Sequence, residues 1–251
     1  MVKILISGIC GHMGRNVLEL AREDKDIECV GGVDLQAGEL CGVPVYDSLE
    51  KVQETADAVI DFSSASNLEN LLAYAKKTGT ALILAATGYT GEQLAAIEEA
   101  AKEVPLFKTA NLSVGINLLQ KLVREAAATL GEQFDIEIVE RHHNLKKDAP
   151  SGTALMLAES ANEAFAEAKR YVCGREGMVG ARTKGEIGIH AVRGGNIVGE
   201  HEVMFAGEDE IVTLSHSARS KRVFAAGALR AAKFMAGKPA GRYDMQDVLG
   251  S

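Results

Sequence analysis

Over roughly the first 110 residues, short aliphatic runs alternate with amphipathic stretches. Val2–Ser7, Glu28–Val33, Asp57–Phe62, Ala81–Ala85 and Leu106–Thr109 are apolar on both faces, the pattern of strands buried in a parallel sheet. Between them Leu68, Leu71, Leu72 and Ala75 recur at helical spacing, and the pairs Ser66 with Glu69 and Thr90 with Gln93 read as capping boxes opening two helices. The resulting β-α-β order predicts a doubly wound sheet.

After Asn111 the texture changes. Leu118, Leu119, Leu122, Val123 and Ala126 mark one helix, and in Phe134–Glu140 the apolar Phe134, Ile136 and Ile138 alternate with acidic residues, as in a sheet with one wet face. A helix is expected from about Gly152 to Lys169, then strands at Glu186–Val192, Asn196–Phe205 and Glu210–His216. Val223–Ala236 is helical again, with Ala225, Ala228, Leu229 and Ala232 on one side. The chain therefore reads as an α/β unit, 1–112 with 219–251, enclosing an α+β unit with a mixed open sheet, 113–218. Hinges are expected near Asn111–Gly115 and Ser217–Arg222, where the two could close on a substrate.

Composition narrows the chemistry. With 47% hydrophobic residues among 251, the chain can bury a sizeable core, and its net charge of −8 offers no broad basic face for nucleic acid or a membrane surface. An anionic ligand must meet a local exception. Cys10, Cys29, Cys41 and Cys173 lie far apart without a Cys-x-x-Cys pair, so buried reduced thiols in a cytoplasmic protein are expected. No apolar run approaches a membrane span.

The first chemical signal is Gly8-Ile9-Cys10-Gly11-His12-Met13-Gly14-Arg15, between an aliphatic strand and a helix bearing Val17, Leu18 and Ala21. Glycines there permit a tight turn and close approach of backbone amides to a pyrophosphate, while the helix N-terminus offers its positive end. Asp34, 20 residues after Gly14, follows the second predicted strand, where a carboxylate accepts both ribose hydroxyls of an adenosine. Together these features predict a Rossmann-like dinucleotide-binding unit. Asp34 would repel a 2′-phosphate and Leu35 and Gln36 supply no cation, which favours NADH over NADPH.

The second signal is Glu140-Arg141-His142-His143-Asn144-Leu145-Lys146-Lys147-Asp148-Ala149-Pro150-Ser151-Gly152-Thr153, five cationic or protonatable side chains within seven residues of an acidic protein. Amides at Gly152 and Thr153, where a helix opens, together with lysine make an anion pocket. Histidine carries a proton near neutral pH and lysine sets a fixed charge beside it. Two neighbouring histidines without a third ligand make a poor metal site, and no metal is expected.

These residues, His142-His143-x-x-Lys146-x-Asp148-Ala149-Pro150-Ser151-Gly152-Thr153-Ala154 above all, resemble the signature of the 4-hydroxy-tetrahydrodipicolinate (dihydrodipicolinate) reductase family of the diaminopimelate and lysine pathway. In order, Gly8-x-x-Gly11-x-Met13-Gly14-Arg15, Ala86-Thr87-Gly88, Asn111-x-Ser113-x-Gly115 and Gly199-Glu200-His201 match as well, so the resemblance spans essentially the whole chain. It implies that the loop Gly8, Ile9, Cys10, Gly11, His12 and Met13, then Asp34, then Ala85, Ala86 and Thr87, and Thr109, Ala110, Asn111 and Leu112 line NADH or NADPH. His143, Lys146, Gly152 and Thr153 would hold a small dicarboxylate cyclic imine, and His142 is similar to the family's proton donor, with either His142 or Lys146 delivering the proton. A homotetramer is implied too. Three departures touch cofactor contacts: Cys10 where many relatives carry glycine, Ala85-Ala86-Thr87-Gly88 for a commoner Gly-Thr-Thr-Gly, and Ser220-Lys221 for Ser-Arg. Lys221 cannot form the planar fork of an arginine. A different two-domain reductase of amino-acid metabolism, or a protein that senses NADH without turnover, would share the first signal but not need the second.

Overall fold

In a computed structural model, which describes residues 1–250, the chain breaks into two units, one of 1–113 with 221 onward and one of 114–220. The first unit begins with β1 (Val2–Ser7), α1 (His12–Glu23), β2 (Ile27–Val33), β3 (Gly38–Leu40), β4 (Val43–Tyr46), β5 (Ala58–Asp61), α2 (Leu68–Thr78), β6 (Ala81–Leu84), α3 (Gly91–Ala100) and β7 (Pro105–Lys108). The five predicted strands lie within a residue or so of their expected bounds. β3 and β4 are additional: β3 is short and largely exposed, and β4, though Val43 and Val45 are buried, is only four residues long. Thr90 and Gln93 form the expected capping box of α3. Ser66 and Glu69 do not cap α2: a single 3-10 turn, Ala65–Asn67, precedes that helix, and Ser64 takes the amide of Ser66 instead.

The second unit holds α4 (Val114–Leu130), β8 (Asp135–His142), α5 (Gly152–Asn162), β9 (Arg170–Cys173), β10 (Glu186–Arg193), β11 (Gly199–Ala206) and β12 (Ile211–Ala218). Its sheet runs β12-β11-β8-β10-β9, with β8 parallel to β10 and antiparallel to β11. Ile136, Ile138, Ile187, Ile189, Val203 and Phe205 turn to one face, where α4 and α5 cover them. The helix expected to reach Lys169 stops at Asn162. The Asn162 side chain bonds both the amide and the carbonyl of Lys169, and this returns the chain to β9.

The chain re-enters the first unit through α6 (Arg222–Met235), β13 (Gly241–Tyr243) and α7 (Met245–Gly250). That sheet is ordered β13-β7-β6-β5-β1-β2-β4-β3, parallel except at β3. Leu5, Val59, Leu82 and Leu106 pack with Leu68, Leu71 and Ala75 of α2 and Ile97 of α3. Alternation along the strands turns Ile4, Ile6 and Ile60 to the other face, which α6 covers, packed against α1. After β2 and β4 the strand order reverses across β1, which places the β1–α1 turn at the topological switch point.

Cysteine burial differs from expectation. Cys10, Cys41 and Cys173 are exposed and only Cys29 is half-buried, because three of the four fall in turns or at an edge strand.

Candidate active site

In the first unit, the strand ends gather the expected dinucleotide residues. Gly8 has φ +77°, and a Cβ on Gly14 would stand 2.2 Å from the Gly8 carbonyl oxygen, so both positions require glycine for the turn to close. α1 has Gly11 at its N-cap with no side chain capping it, and its ladder starts with Arg15 N donating to Gly11 O. The amides of His12 and Met13 therefore sit at an open, positive helix mouth. Asp34 binds this turn directly: Oδ2 accepts from Cys10 N and Oδ1 from Leu35 N, both at 2.8 Å. Each oxygen keeps a lone pair for a ribose hydroxyl.

A crevice of about 1130 Å³ opens beside these groups, lined among others by Gly8, Gly11, Asp34, Leu35, Ser63 and Asn67. The size suits a dinucleotide and the donor set suits its phosphates and ribose. Ala85, Ala86 and Thr87 follow β6, and Thr109, Ala110, Asn111 and Leu112 follow β7, at the same edge of the sheet but outside that lining. Asn111 Oδ1 takes the Ser113 amide and Thr109 Oγ1 bonds the Asn111 carbonyl, which holds this last turn in shape. Lys221 is the N-cap residue of α6. Ser63 and its neighbours after β5 carry no glycine or charge signature and escaped the sequence reading.

In the second unit, β8 ends on His142, whose Nδ1 lies 2.6 Å from Glu140 Oε2. Glu140 is fully buried. Arg193, at the end of neighbouring β10, forks onto it, NH1 to Oε2 at 2.8 Å and NH2 to Oε1 at 2.7 Å, and the Ser151 amide donates to Oε1 at 3.0 Å. Burial works against the Glu140 charge, yet the bonds from Arg193 and His142 outweigh it and hold the carboxyl below its usual range. An ionised Glu140 has only acceptors to offer, so His142 Nδ1 carries a hydrogen and Nε2 is the nitrogen left for chemistry.

Ser151 caps α5, its hydroxyl accepting from Ala154 N while pairing with His201 Nε2 at 2.9 Å. Gly152 and Thr153 supply the first-turn amides of the helix, and a Cβ on Gly152 would meet nothing within 4 Å. Lys146 Nζ bonds both oxygens of Asp148 at 2.9 Å, and Arg193 NH2 reaches the Asp148 carbonyl at 2.8 Å. The loop between β8 and α5 is thus tied to the end of β10 at Asp148. His143 follows directly, half-buried, with its carbonyl accepting from Lys146 N. His142, His143, Lys146, Gly152 and Thr153 are thereby gathered on one strand end and the helix start that follows it. Arg193, 51 positions from His142, had no signal in spacing; Glu140 stood inside the basic segment, but nothing in its sequence context marked it as the histidine's partner.

Among the described residues no group of three His, Cys, Asp or Glu could hold a metal, and no helix is long and apolar enough to cross a membrane. His190 bonds Glu137 Oε2 at 2.7 Å on the other face of the sheet.

A doubly wound unit with a glycine turn and a carboxylate bonded to it, joined in one chain to an α+β unit bearing a histidine–lysine cluster, defines a pyridine-nucleotide-dependent reductase. Residues 2–112 match the family model of the dihydrodipicolinate reductase N-terminus and residues 115–249 that of its C-terminus. The chain belongs to the 4-hydroxy-tetrahydrodipicolinate reductase family, whose members are NAD(P)H-dependent oxidoreductases. It is 51% identical over 249 residues to the 4-hydroxy-tetrahydrodipicolinate reductase of Caldanaerobacter subterraneus subsp. tengcongensis, covering 99% of this chain and 98% of that one. The enzyme of the same name from Clostridium tetani is 45% identical over 251 residues, covering 100% and 98%. A dipicolinate-bound dihydrodipicolinate reductase from Paenisporosarcina sp. TG-14 superposes with a TM-score of 0.81 at 25% identity, 97% of each chain being covered.

Proposed function

We propose that this protein reduces 4-hydroxy-tetrahydrodipicolinate to tetrahydrodipicolinate, with NADH as the preferred reductant, in lysine and diaminopimelate synthesis. The observation that carries it is the cluster of His142, Lys146 and the α5 start, which joins a proton donor to a carboxylate-binding helix mouth within one short segment. A solved relative that carries dipicolinate supports a cyclic dicarboxylate as ligand.

The substrate loses its 4-hydroxyl as water, and one hydride and one proton then add across the conjugated imine system. Bound NADH supplies the hydride. His142 gives up the proton from Nε2, and the remaining Nδ1–H stays on Glu140. Lys146 and His143 face the negative charge of the substrate, and the amides of Gly152 and Thr153 take one carboxylate. In the first unit Asp34 selects the unphosphorylated ribose. The crevice around it is lined by Asp47, Glu50 and Glu54 and by a single lysine, Lys77, an environment that opposes a 2′-phosphate.

Residues 1–112 with 219–251 act as the cofactor unit and 113–218 as the substrate and oligomerisation unit of a cytoplasmic homotetramer. The uncovered face of the second sheet supports self-association, since Val139, Met204, Val192 and Ile211 lie on it without a helix above them. The test is NADH and NADPH oxidation by the purified protein with freshly made product of dihydrodipicolinate synthase. Turnover is expected with both cofactors, with the higher kcat/KM for NADH. No turnover with either refutes the assignment, and NADPH preference refutes the reading of Asp34.

A further inference from the structure

We infer that Glu140, clamped by Arg193, is the positioning residue that fixes which nitrogen of His142 bears the proton and sets how readily that proton leaves. The inference deepens the proton-donor reading of His142 and rests on it.

The geometry is specific. All four acceptor positions of the Glu140 carboxylate are filled: Oε2 by Arg193 NH1 and His142 Nδ1, Oε1 by Arg193 NH2 and Ser151 N. A fully buried carboxylate held this way has neither room nor reason to rotate, so the direction of its lone pair toward Nδ1 is set by β8, β10 and the α5 cap together. Two opposed charges meet beside His142: the Glu140 carboxylate bonded to Nδ1, and the Arg193 guanidinium forked onto that same carboxylate. The other charged or titratable groups on this side are His201 on β11, His216 opposite it on β12, and Lys146 with Asp148 in the following loop. Lys146 and Asp148 largely cancel as a pair. Burial pushes His201 down to about 4, so it is uncharged near neutral pH. His216 is pushed down as well. The charge bonded to the His142 ring is therefore that of Glu140, shared with Arg193.

Glu140→Gln keeps the volume but reverses the hydrogen bond. With its amide oxygen kept on Arg193 NH2 and Ser151 N, its NH2 takes the place of Oε2, gives up the bond from Arg193 NH1 and faces Nδ1 as a donor, so the neutral imidazole must move its hydrogen to Nε2. Nitrogen NMR of labelled imidazoles, at a pH where His142 is neutral, is expected to show Nδ1–H in the natural protein and Nε2–H in Glu140→Gln. In steady-state kinetics Glu140→Gln is expected to lose about 10²-fold in kcat with little change in the dicarboxylate KM, and to move the alkaline limb of kcat down by about one pH unit. Arg193→Met is expected to move that limb up, with the Nδ1–H tautomer kept. Glu140→Asp should keep the tautomer and recover part of kcat.

A merely structural Glu140 would lower activity without moving the limb in opposite directions in the two variants. An Nε2–H tautomer in the natural protein overturns the inference without any variant, so it stays decidable even where a variant fails to fold. Limbs that move together or stay put also overturn it. His142→Gln separates the two levels: normal turnover there refutes the donor reading itself, while the tautomer measurement still judges the role of Glu140.

Discussion

The imidazole of His201 meets that of His142 edge to face, with ring centroids 5.2 Å apart and planes at 75°. His201 is buried, bonded through Nε2 to the Ser151 hydroxyl, while its Nδ1 has no hydrogen-bond partner. A charged ring is unfavourable there. Burial pushes His201 down to about 4, and the neighbouring His142 adds to the shift. In the unfolded chain the ring titrates near 6.5, so between pH 6.5 and 4 the unfolded state binds the extra proton and folding loses stability as pH falls. Above 6.5 both states are neutral and the cost vanishes. The gap corresponds to at most on the order of 3 kcal/mol. His201→Gln is therefore expected to flatten the acid side of the stability curve between pH 6.5 and 4, while costing some stability at neutral pH through weaker packing. Urea unfolding across this pH range checks it; equal acid slopes in the two proteins would contradict the assignment.

Gly199 leaves space for the same histidine. A Cβ at this position would lie 3.2 Å from His142 Nε2, tighter than an ordinary contact, and His142 is held by Glu140 on its other side. Gly199→Ala is expected to displace the ring by a few tenths of an ångström and to lower kcat about tenfold, since proton transfer depends steeply on geometry. NADH affinity should not change, because Gly199 belongs to the second unit and the glycine turn to the first. An unchanged kcat would show that the ring has slack at Nε2.

Asp34 steadies the glycine turn through Cys10 N, and under the proposed function it also presents oxygens to a ribose. Asp34→Ala removes both. Loss of charge-assisted bonds of about 1.5–3 kcal/mol corresponds to roughly a 10- to 100-fold rise in the KM for NADH. For NADPH the lost bonds are partly offset by the lost repulsion, so the ratio of kcat/KM for NADH over NADPH should fall. Parallel cofactor titrations measure this, and an unaltered ratio would remove Asp34 from the specificity argument.

How much of this was legible in the sequence follows from where each signal resides. Buried strands such as Ala58–Asp61 and Ala81–Leu84 announce themselves because both faces are apolar, and Gly8 and Gly14 because no other residue closes their turn. The signature around His142 was readable because local chain order brings the strand end and helix start together. Glu140 with Arg193, on neighbouring strands, and His201 on β11 with Ser151 at the α5 cap, pair residues 53 and 50 positions apart, and a single sequence records neither strand register nor helix docking. The premature stop of α5 had the same cause: the Asn162 side chain captures Lys169, and both residues are compatible with a longer helix taken alone. The exposed thiols show a complementary limit, since a small cysteine fits a turn such as Cys10 as readily as a core.

Thr153 and Lys146 separate binding from chemistry. Thr153 stands in the first turn of α5, at the helix's positive end, and the carboxylate proposed to bind there would carry charge before and after reduction. An interaction that is equally strong in ground and transition states changes KM and leaves kcat alone. Thr153→Val, which keeps shape and removes the hydroxyl, is expected to raise the dicarboxylate KM by about 5- to 20-fold, with kcat within about twofold. Lys146 is different: its ammonium is 2.9 Å from both oxygens of the largely exposed Asp148, a pair that costs little to open when a substrate carboxylate competes for the charge. As electrons build on the ring during reduction, that charge is needed more in the transition state than before it. Lys146→Ala should therefore lower kcat by at least 10²-fold as well as raise KM, while NADH binding measured by fluorescence is unchanged. A Lys146→Ala protein that differs from the natural one in KM alone would confine the lysine to holding the substrate and leave His142 to handle the proton unaided.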